Sequence, residues 1–105
     1  MDKERIRDLF QDATVDCYDE DEQFWGLFYT LAEEGLNFPL KAKAMGEDVE
    51  LVDLDGASSP RRGIVALVHK GGKEHSVALA ELELVEPDST SAEWLEVYRY
   101  WLNLS

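Results

Sequence analysis

The sequence predicts an α+β fold: N-terminal helices, then a small, strongly curved antiparallel sheet or SH3-like barrel of four to five short strands, then a C-terminal helix. Three observations lead to this prediction. Apolar residues recur at helical spacing through residues 2–34, the period changes to two from Leu40, and an aromatic-rich helical pattern returns after Ser89. The length of 105 residues fits one domain, 1–105.

The first helical stretch contains an amphipathic stripe. Residues 2–13 place apolar side chains at positions i, i+3, i+4 and i+7, namely Ile6, Leu9, Phe10 and Ala13. Residues 15–34 repeat the pattern more strongly, and Thr14 is a candidate N-cap for this second helix. A single kinked helix is the alternative. Gly35 suits the position just after a helix end, and Pro39 prevents further helix.

Five segments bounded by turn residues are predicted strands: the first two alternate apolar and charged residues, the third is mostly apolar, the fourth pairs back on the third, and the last is a candidate fifth strand. They are residues 40–44, 49–51, 63–70, 74–80 and 82–85. The pair Gly71-Gly72 predicts a tight hairpin between the third and fourth segments. Short strands with such tight connections favour strong curvature of the sheet, and we expect the helices to cover its open edges.

The C-terminal helix has a start signal and an aromatic face. Thr90 and Glu93 fit a capping box, with Thr90 as the N-cap and Glu93 at the third helical position. The amphipathic face that follows is formed by Trp94, Leu95, Tyr98, Trp101 and Leu102.

The charge of the chain restricts its partners. The sequence has 23 Asp and Glu against 10 Lys and Arg, a formal net charge of −13. This balance excludes binding to nucleic-acid phosphates and argues against an anionic membrane surface. A metal cation, a basic protein or a cationic ligand remains. With one cysteine, no apolar leader at the N-terminus and no catalytic motif, we expect a cytoplasmic protein that is not an enzyme.

The acidic residues concentrate in two places, residues 12–22 and 47–55. If residues 12–23 are helical, five oxygen-bearing side chains share one stripe: Asp12, Asp16, Asp19, Glu20 and Gln23. Like charges at i and i+4 destabilise a helix by roughly 0.2–0.5 kcal/mol per pair. A Ca²⁺ ion, which takes six to eight oxygen ligands, would relieve that repulsion. The alternative is a solvated helix face.

The second concentration contains Asp53-Leu54-Asp55-Gly56, which invites an EF-hand interpretation. That interpretation fails, because aligning Gly56 with the loop glycine puts Leu51 at the first ligand position and Arg62 at the bidentate Glu position. A different cation site using Asp53 and Asp55 remains open beside an ordinary Asp-Gly turn.

The order and spacing of several motifs resemble the CcbP-type family of small acidic calcium-binding proteins of cyanobacteria. The motifs are residues 15–23 (VDCYDEDEQ), Phe38-Pro39, 46–50, 53–56, 61–66 and 98–102, so that the resemblance covers residues 12–103. It implies cytosolic Ca²⁺ binding by surface carboxylates without an EF-hand, in a buffering or sequestering role. The ligands that it implies are Asp16, Asp19, Glu20, Asp53 and Asp55.

Two functions therefore stand side by side. The first is binding of calcium ions, supported by the carboxylate clusters and the resemblance. The second is an SH3-like protein-interaction module that docks a basic protein on its acidic face, supported by the barrel-like strand order and by a net charge of −11 on residues 1–56.

Overall fold

The computed structural model describes residues 3–104, in two compact units. The helical unit consists of the chain up to Leu36 together with the chain from Ser89 onward, and the sheet unit is Asn37–Asp88. Within the described range, no helix is both long enough and apolar enough to span a membrane.

Three helices form the helical unit: α1 (Lys3–Ala13), α2 (Glu20–Thr30) and α3 (Ser89–Leu104). A π-helical turn, Leu31–Gly35, continues α2. The buried apolar side chains of this unit are Ile6, Phe10, Phe24, Leu27, Phe28, Leu31, Leu36, Leu95, Val97, Tyr98 and Trp101. Phe10 meets Tyr100 edge-on, and Phe24 contacts Trp101, so aromatic rings join α3 to both other helices. Of the helix predicted over residues 2–13, Asp2 lies outside the described residues.

The second helix begins later than predicted, at Glu20. The Thr14 hydroxyl donates back to the Phe10 carbonyl at 2.7 Å, so Thr14 ends α1 and does not cap α2. The cap is Asp19, whose carboxylate accepts the Glu22 N–H at 2.8 Å. The alternative of one kinked helix is wrong, and so is the predicted stripe from Asp12 to Gln23, because residues 14–19 are not helical.

The sheet unit has five antiparallel strands: β1 (Leu40–Ala44), β2 (Glu47–Leu54), β3 (Val65–Lys70), β4 (Lys73–Ala78) and β5 (Glu83–Leu84). The strand order is β4-β3-β2-β1-β5. One face of the sheet is apolar and contains Leu40, Ala42, Leu51, Leu54, Ala66 and Val68, all buried. The predicted number of strands and the predicted hairpin across Gly71-Gly72 are confirmed.

The predicted barrel closure and strong curvature are wrong: the sheet is open. Closure needs the two edge strands to pair, and in the described chain β4 pairs with β3 while β5 pairs with β1. After Ala78 the chain makes a 3₁₀ turn, Leu79–Glu81, and β5 then extends for two residues beside β1. This turn also ends the fourth strand two residues before its predicted limit.

The predicted capping box of the C-terminal helix is also wrong. The helix includes Ser89, so Thr90 lies inside its first turn and is not the N-cap. Glu93 does not close the cap, because its carboxylate forms an ion pair with Arg5 of α1. The carboxylate of Glu93 therefore links α3 to α1 and does not serve as part of a helix cap.

Gly35 ends the helical segment for a packing reason. Its φ is not in the left-handed region expected of a glycine just past a helix end. A Cβ at this position would lie 2.7 Å from Trp94 Cγ, so α3 approaches the π turn through the space that a side chain would fill.

We expect Gly35→Ala to destabilise the fold by about 1–3 kcal/mol, because the added methyl group overpacks against Trp94. Urea denaturation followed by circular dichroism measures this free energy. Gly56→Ala is the matched control, since a Cβ at Gly56 meets no atom within 4 Å, and its effect should stay within about 0.5 kcal/mol. Equal stability of the two variants would contradict this packing explanation.

Candidate cation site

The segment that joins α1 to the first turn of α2 folds back on itself through its own carboxylates; we call residues 16–22, the last three of which belong to α2, the acidic loop. Asp16 takes a left-handed backbone conformation with φ of 66°. Further along, Glu22 Oε2 accepts the Tyr18 N–H at 2.8 Å while Asp19 Oδ1 accepts the Glu22 N–H at 2.8 Å. This reciprocal pattern resembles a capping box and fixes the loop at the start of α2.

A glycine in α2 lets the loop pack closely. A Cβ on Gly26 would lie 2.9 Å from the Ala13 carbonyl oxygen and 3.1 Å from Cys17 Sγ. The absence of a side chain at this helical position therefore brings the end of α1 and the half-buried thiol against α2.

Four carboxylates line one open concavity beside α2. They belong to Asp16, Asp19, Asp21 and Glu22, and the other lining residues are Cys17, Tyr18, Trp25, Gly26 and Tyr29. All four acidic residues are exposed. None of them takes part in an ion pair within residues 3–104, and the sequence has no Lys or Arg between Arg7 and Lys41.

The structure thus brings together two of the three loop residues expected from the sequence. Asp16 and Asp19 line the concavity, whereas Glu20 is exposed in the first turn of α2 and does not. Sequence reasoning missed Asp21 and Glu22 as candidates. The spacing Asp19-x-x-Glu22 is the signal that would have found Glu22, because it marks a helix start where both side chains turn back toward the loop.

The thiol of Cys17 reports the charge of this loop. Burial raises its pKa, and the carboxylates of Glu22, Asp16 and Asp19 raise it further because they disfavour the thiolate. Three of the four lining carboxylates are therefore close enough to the Cys17 thiol to raise its pKa. The positive end of α2 offsets part of their charge, as does hydrogen bonding to Asp19 and Glu22.

The second acidic stretch has counter-charges that the loop lacks. Lys70 pairs with Glu47 and lowers the pKa of that carboxyl through a hydrogen bond and its charge. Across the sheet, the register places Asp48 opposite Lys43 and Glu50 opposite Lys41. Cross-strand pairs of opposite charge stabilise a sheet. Three acidic residues of β2, Glu47, Asp48 and Glu50, thus have a Lys as an ion-pair partner or as a cross-strand neighbour.

The remaining two predicted ligands, Asp53 and Asp55, belong to the sheet unit and take part in local hydrogen bonds. Asp53 Oδ1 accepts the N–H of Leu54 at 2.8 Å. Both oxygens of Asp55 are engaged, Oδ1 by the Ala57 N–H at 2.9 Å and Oδ2 by the Ser76 hydroxyl at 3.1 Å. The hydrogen bond to Ala57 is that of an Asx turn.

The described residues contain no ready-made metal cluster. Within 3–104, no three His, Cys, Asp or Glu side chains are grouped so that they would hold a metal ion. The donors of the acidic loop are hard carboxylate oxygens, which suit Ca²⁺ better than zinc. Exposed side chains can rotate, so a cation would gather these oxygens as it binds.

Comparisons with known proteins give a family and a fold. A family model described as calcium binding, Calci_bind_CcbP, matches residues 5–102. The crystal structure of Anabaena CcbP is similar to this chain with a TM-score of 0.82 at 20% identity, covering 97% of this chain and 92% of that one. A calcium-binding protein in its calcium-binding form is similar with a TM-score of 0.78 at 20% identity and the same coverage. None of the curated proteins matches the chain in sequence.

We expect the rate of Cys17 alkylation by iodoacetamide to reach half its maximum at a higher pH than for an ordinary thiol. Replacing two carboxylates, in Asp16→Asn with Glu22→Gln, should lower that midpoint because the thiolate loses two repelling charges. Glu33→Gln is the control, since Glu33 is not among the groups that act on the thiol. An unchanged midpoint in the double variant would show that these carboxylates do not surround Cys17.

Proposed function

The chain belongs to the CcbP family of calcium-binding proteins, which are not enzymes, and we propose that its acidic loop is the place where Ca²⁺ binds. One observation carries this proposal: Asp16, Asp19, Asp21 and Glu22 line the same concavity, and no Lys or Arg pairs with them in residues 3–104. A divalent cation would supply the counter-charge.

The chemistry of this loop suits a site other than an EF-hand. An EF-hand takes its ligands from positions 1, 3, 5, 7, 9 and 12 of one loop, with a glycine at position 6. The acidic loop has no glycine, and its last three residues already form the first turn of α2. Carbonyl oxygens and water would complete the six to eight oxygens that Ca²⁺ takes.

The hydrogen bonds already present are compatible with an ion. Asp19 and Glu22 each accept one N–H through a single oxygen, and a carboxylate has about four lone-pair sites. Gathering exposed side chains costs conformational entropy, so we propose a dissociation constant of roughly 10⁻⁶ to 10⁻⁴ M. Reversible binding in this range suits a buffering role in the cytosol.

We propose a second, weaker site at Asp53 and Asp55. Glu20, the third loop residue implied by the family resemblance, remains a proposed ligand from the first turn of α2. The alternative function, docking of a basic protein by an SH3-like barrel, loses its structural basis because the sheet is open.

Calcium should raise the thermal stability of the metal-free protein. A ligand at a hundred times its dissociation constant stabilises the native state by about 2.7 kcal/mol, which raises the melting temperature by several degrees. Thermal melts with Ca²⁺ and with chelator measure this shift. Mg²⁺ at equal concentration is the control and should stabilise less, because it dehydrates reluctantly. Identical melts with Ca²⁺ and Mg²⁺ would contradict selective binding.

Two substitutions of Asp19 distinguish its contribution to Ca²⁺ affinity from its contribution to the stability of the fold. Asn caps helices as well as Asp does, so Asp19→Asn should keep the stability of the metal-free protein yet weaken Ca²⁺ binding roughly tenfold by removing a charged ligand. Asp19→Ala should weaken binding equally and also cost about 1 kcal/mol of stability. Isothermal titration and urea denaturation provide the two readouts.

A second pair of variants locates the ligands. Glu22→Gln should weaken Ca²⁺ binding more than Glu20→Gln, because only Glu22 lines the concavity. If Glu20→Gln weakened Ca²⁺ binding more than Glu22→Gln, the site would lie on the face of α2 that carries Glu20 and not in the concavity. Full affinity in both variants and in Asp19→Asn would remove the site from the acidic loop altogether.

A further inference from the structure

Exposed aromatic side chains surround the acidic loop. Tyr18 is 87% exposed and Tyr29 is 57% exposed, and both line the same concavity as the half-buried Trp25. The Trp25 and Tyr29 rings lie side by side on α2, with centroids 6.1 Å apart. Val15, next to the loop, is also 68% exposed. We call Tyr18, Trp25 and Tyr29 the aromatic patch.

Calcium binding does not account for this patch. Ca²⁺ takes oxygen ligands, and exposed aromatic rings offer it none apart from a phenol oxygen. In the described chain, three of the four large apolar side chains that are exposed lie at or beside this concavity, the exception being Met45. A clustered apolar surface edged by polar groups is typical of an interaction site.

The carboxylates and aromatic rings that line the concavity together favour a cationic ligand. Aromatic faces attract Lys and Arg head groups, and the neighbouring carboxylates would pair with the same groups. We propose that the aromatic patch and the acidic loop together dock a basic amphipathic segment of a partner protein, whose apolar side chains cover the rings and whose cations meet the carboxylates.

A second copy of this chain is a poor occupant of the same surface. The helical unit carries 13 acidic and four basic residues, a formal net charge of −9, so two such faces repel. A basic segment gains from the same charge.

This docking rests partly on the proposed function, because the same carboxylates would serve calcium and the peptide. Ca²⁺ in the loop neutralises the charges that attract a basic segment, so the two should compete. The protein would then release its partner when calcium rises, which is a signalling role beyond buffering.

The test uses the full chain and a synthetic helical peptide built from Leu, Lys and Arg, with Leu at i, i+3, i+4 and i+7. Isothermal titration in chelator should show binding, and the same peptide with a scrambled order should bind more weakly. Tyr18→Ser with Tyr29→Ser should reduce peptide affinity roughly three- to tenfold, by loss of two ring contacts, and Tyr29→Ser alone, outside the acidic loop, should leave Ca²⁺ affinity unchanged. Met45→Ser, at a side chain that is 96% exposed in the sheet unit, is the control.

The outcomes distinguish this proposal from the previous one. Equal binding of ordered and scrambled peptides, or full affinity in the tyrosine variant, would reduce the interaction to non-specific charge attraction and overturn the proposal. Sedimentation showing a dimer that the tyrosine substitutions abolish would assign the patch to self-association and also overturn it. If Ca²⁺ fails to bind while the peptide binds as expected, the docking surface stands and the calcium site lies elsewhere. Ca²⁺ that binds without weakening the peptide would contradict the competition.

Discussion

Carboxylates in the acidic loop repel one another, and the local structure depends on how that repulsion is offset. No cation from the described chain pairs with them. Asp19 and Glu22 are instead held by backbone N–H groups at the positive end of α2. Gly26 allows the loop to lie close to that helix, so the charges stay near one another. A loop arranged in this way is held by hydrogen bonds, and a calcium ion would supply the counter-charge that no Lys or Arg of the described chain provides.

The sheet unit carries a comparable group of acidic residues, but several of these have a Lys as a partner or directly across the sheet. In β2, Glu47 pairs with Lys70, and Asp48 faces Lys43 across the strands. The two acidic stretches look alike in the sequence, since both carry several Asp and Glu within about ten residues. Only the strand register shows that one of them is largely compensated. The acidic residues without a paired Lys or Arg are therefore concentrated in the helical unit, where we propose the principal calcium site.

The sequence predicted the order of elements, the five strands and the Gly71-Gly72 hairpin correctly, because these features depend on local periodicity and turn residues.

The predictions from sequence were wrong where a side chain had two possible partners. A threonine at the end of a helix can bond back to the preceding turn as well as cap the next helix, and Thr14 does the former. Glu93 pairs with Arg5, 88 residues away, which no local motif reveals. Closure of a barrel likewise depends on pairing of distant edges. The sequence pattern does not single out Asp21 and Glu22, because a continuous helix over residues 12–23 would place both off the predicted stripe.

A Ca²⁺ titration of isotope-labelled protein, followed through amide chemical shifts in NMR spectra, tests most directly where calcium binds. We expect the largest shifts in residues 16–26, with the amides of Tyr18 and Glu22 foremost because each donates to a carboxylate of the loop. Shifts confined to residues 53–57, with the acidic loop unchanged at saturation, would contradict the claim that the loop is the principal calcium site.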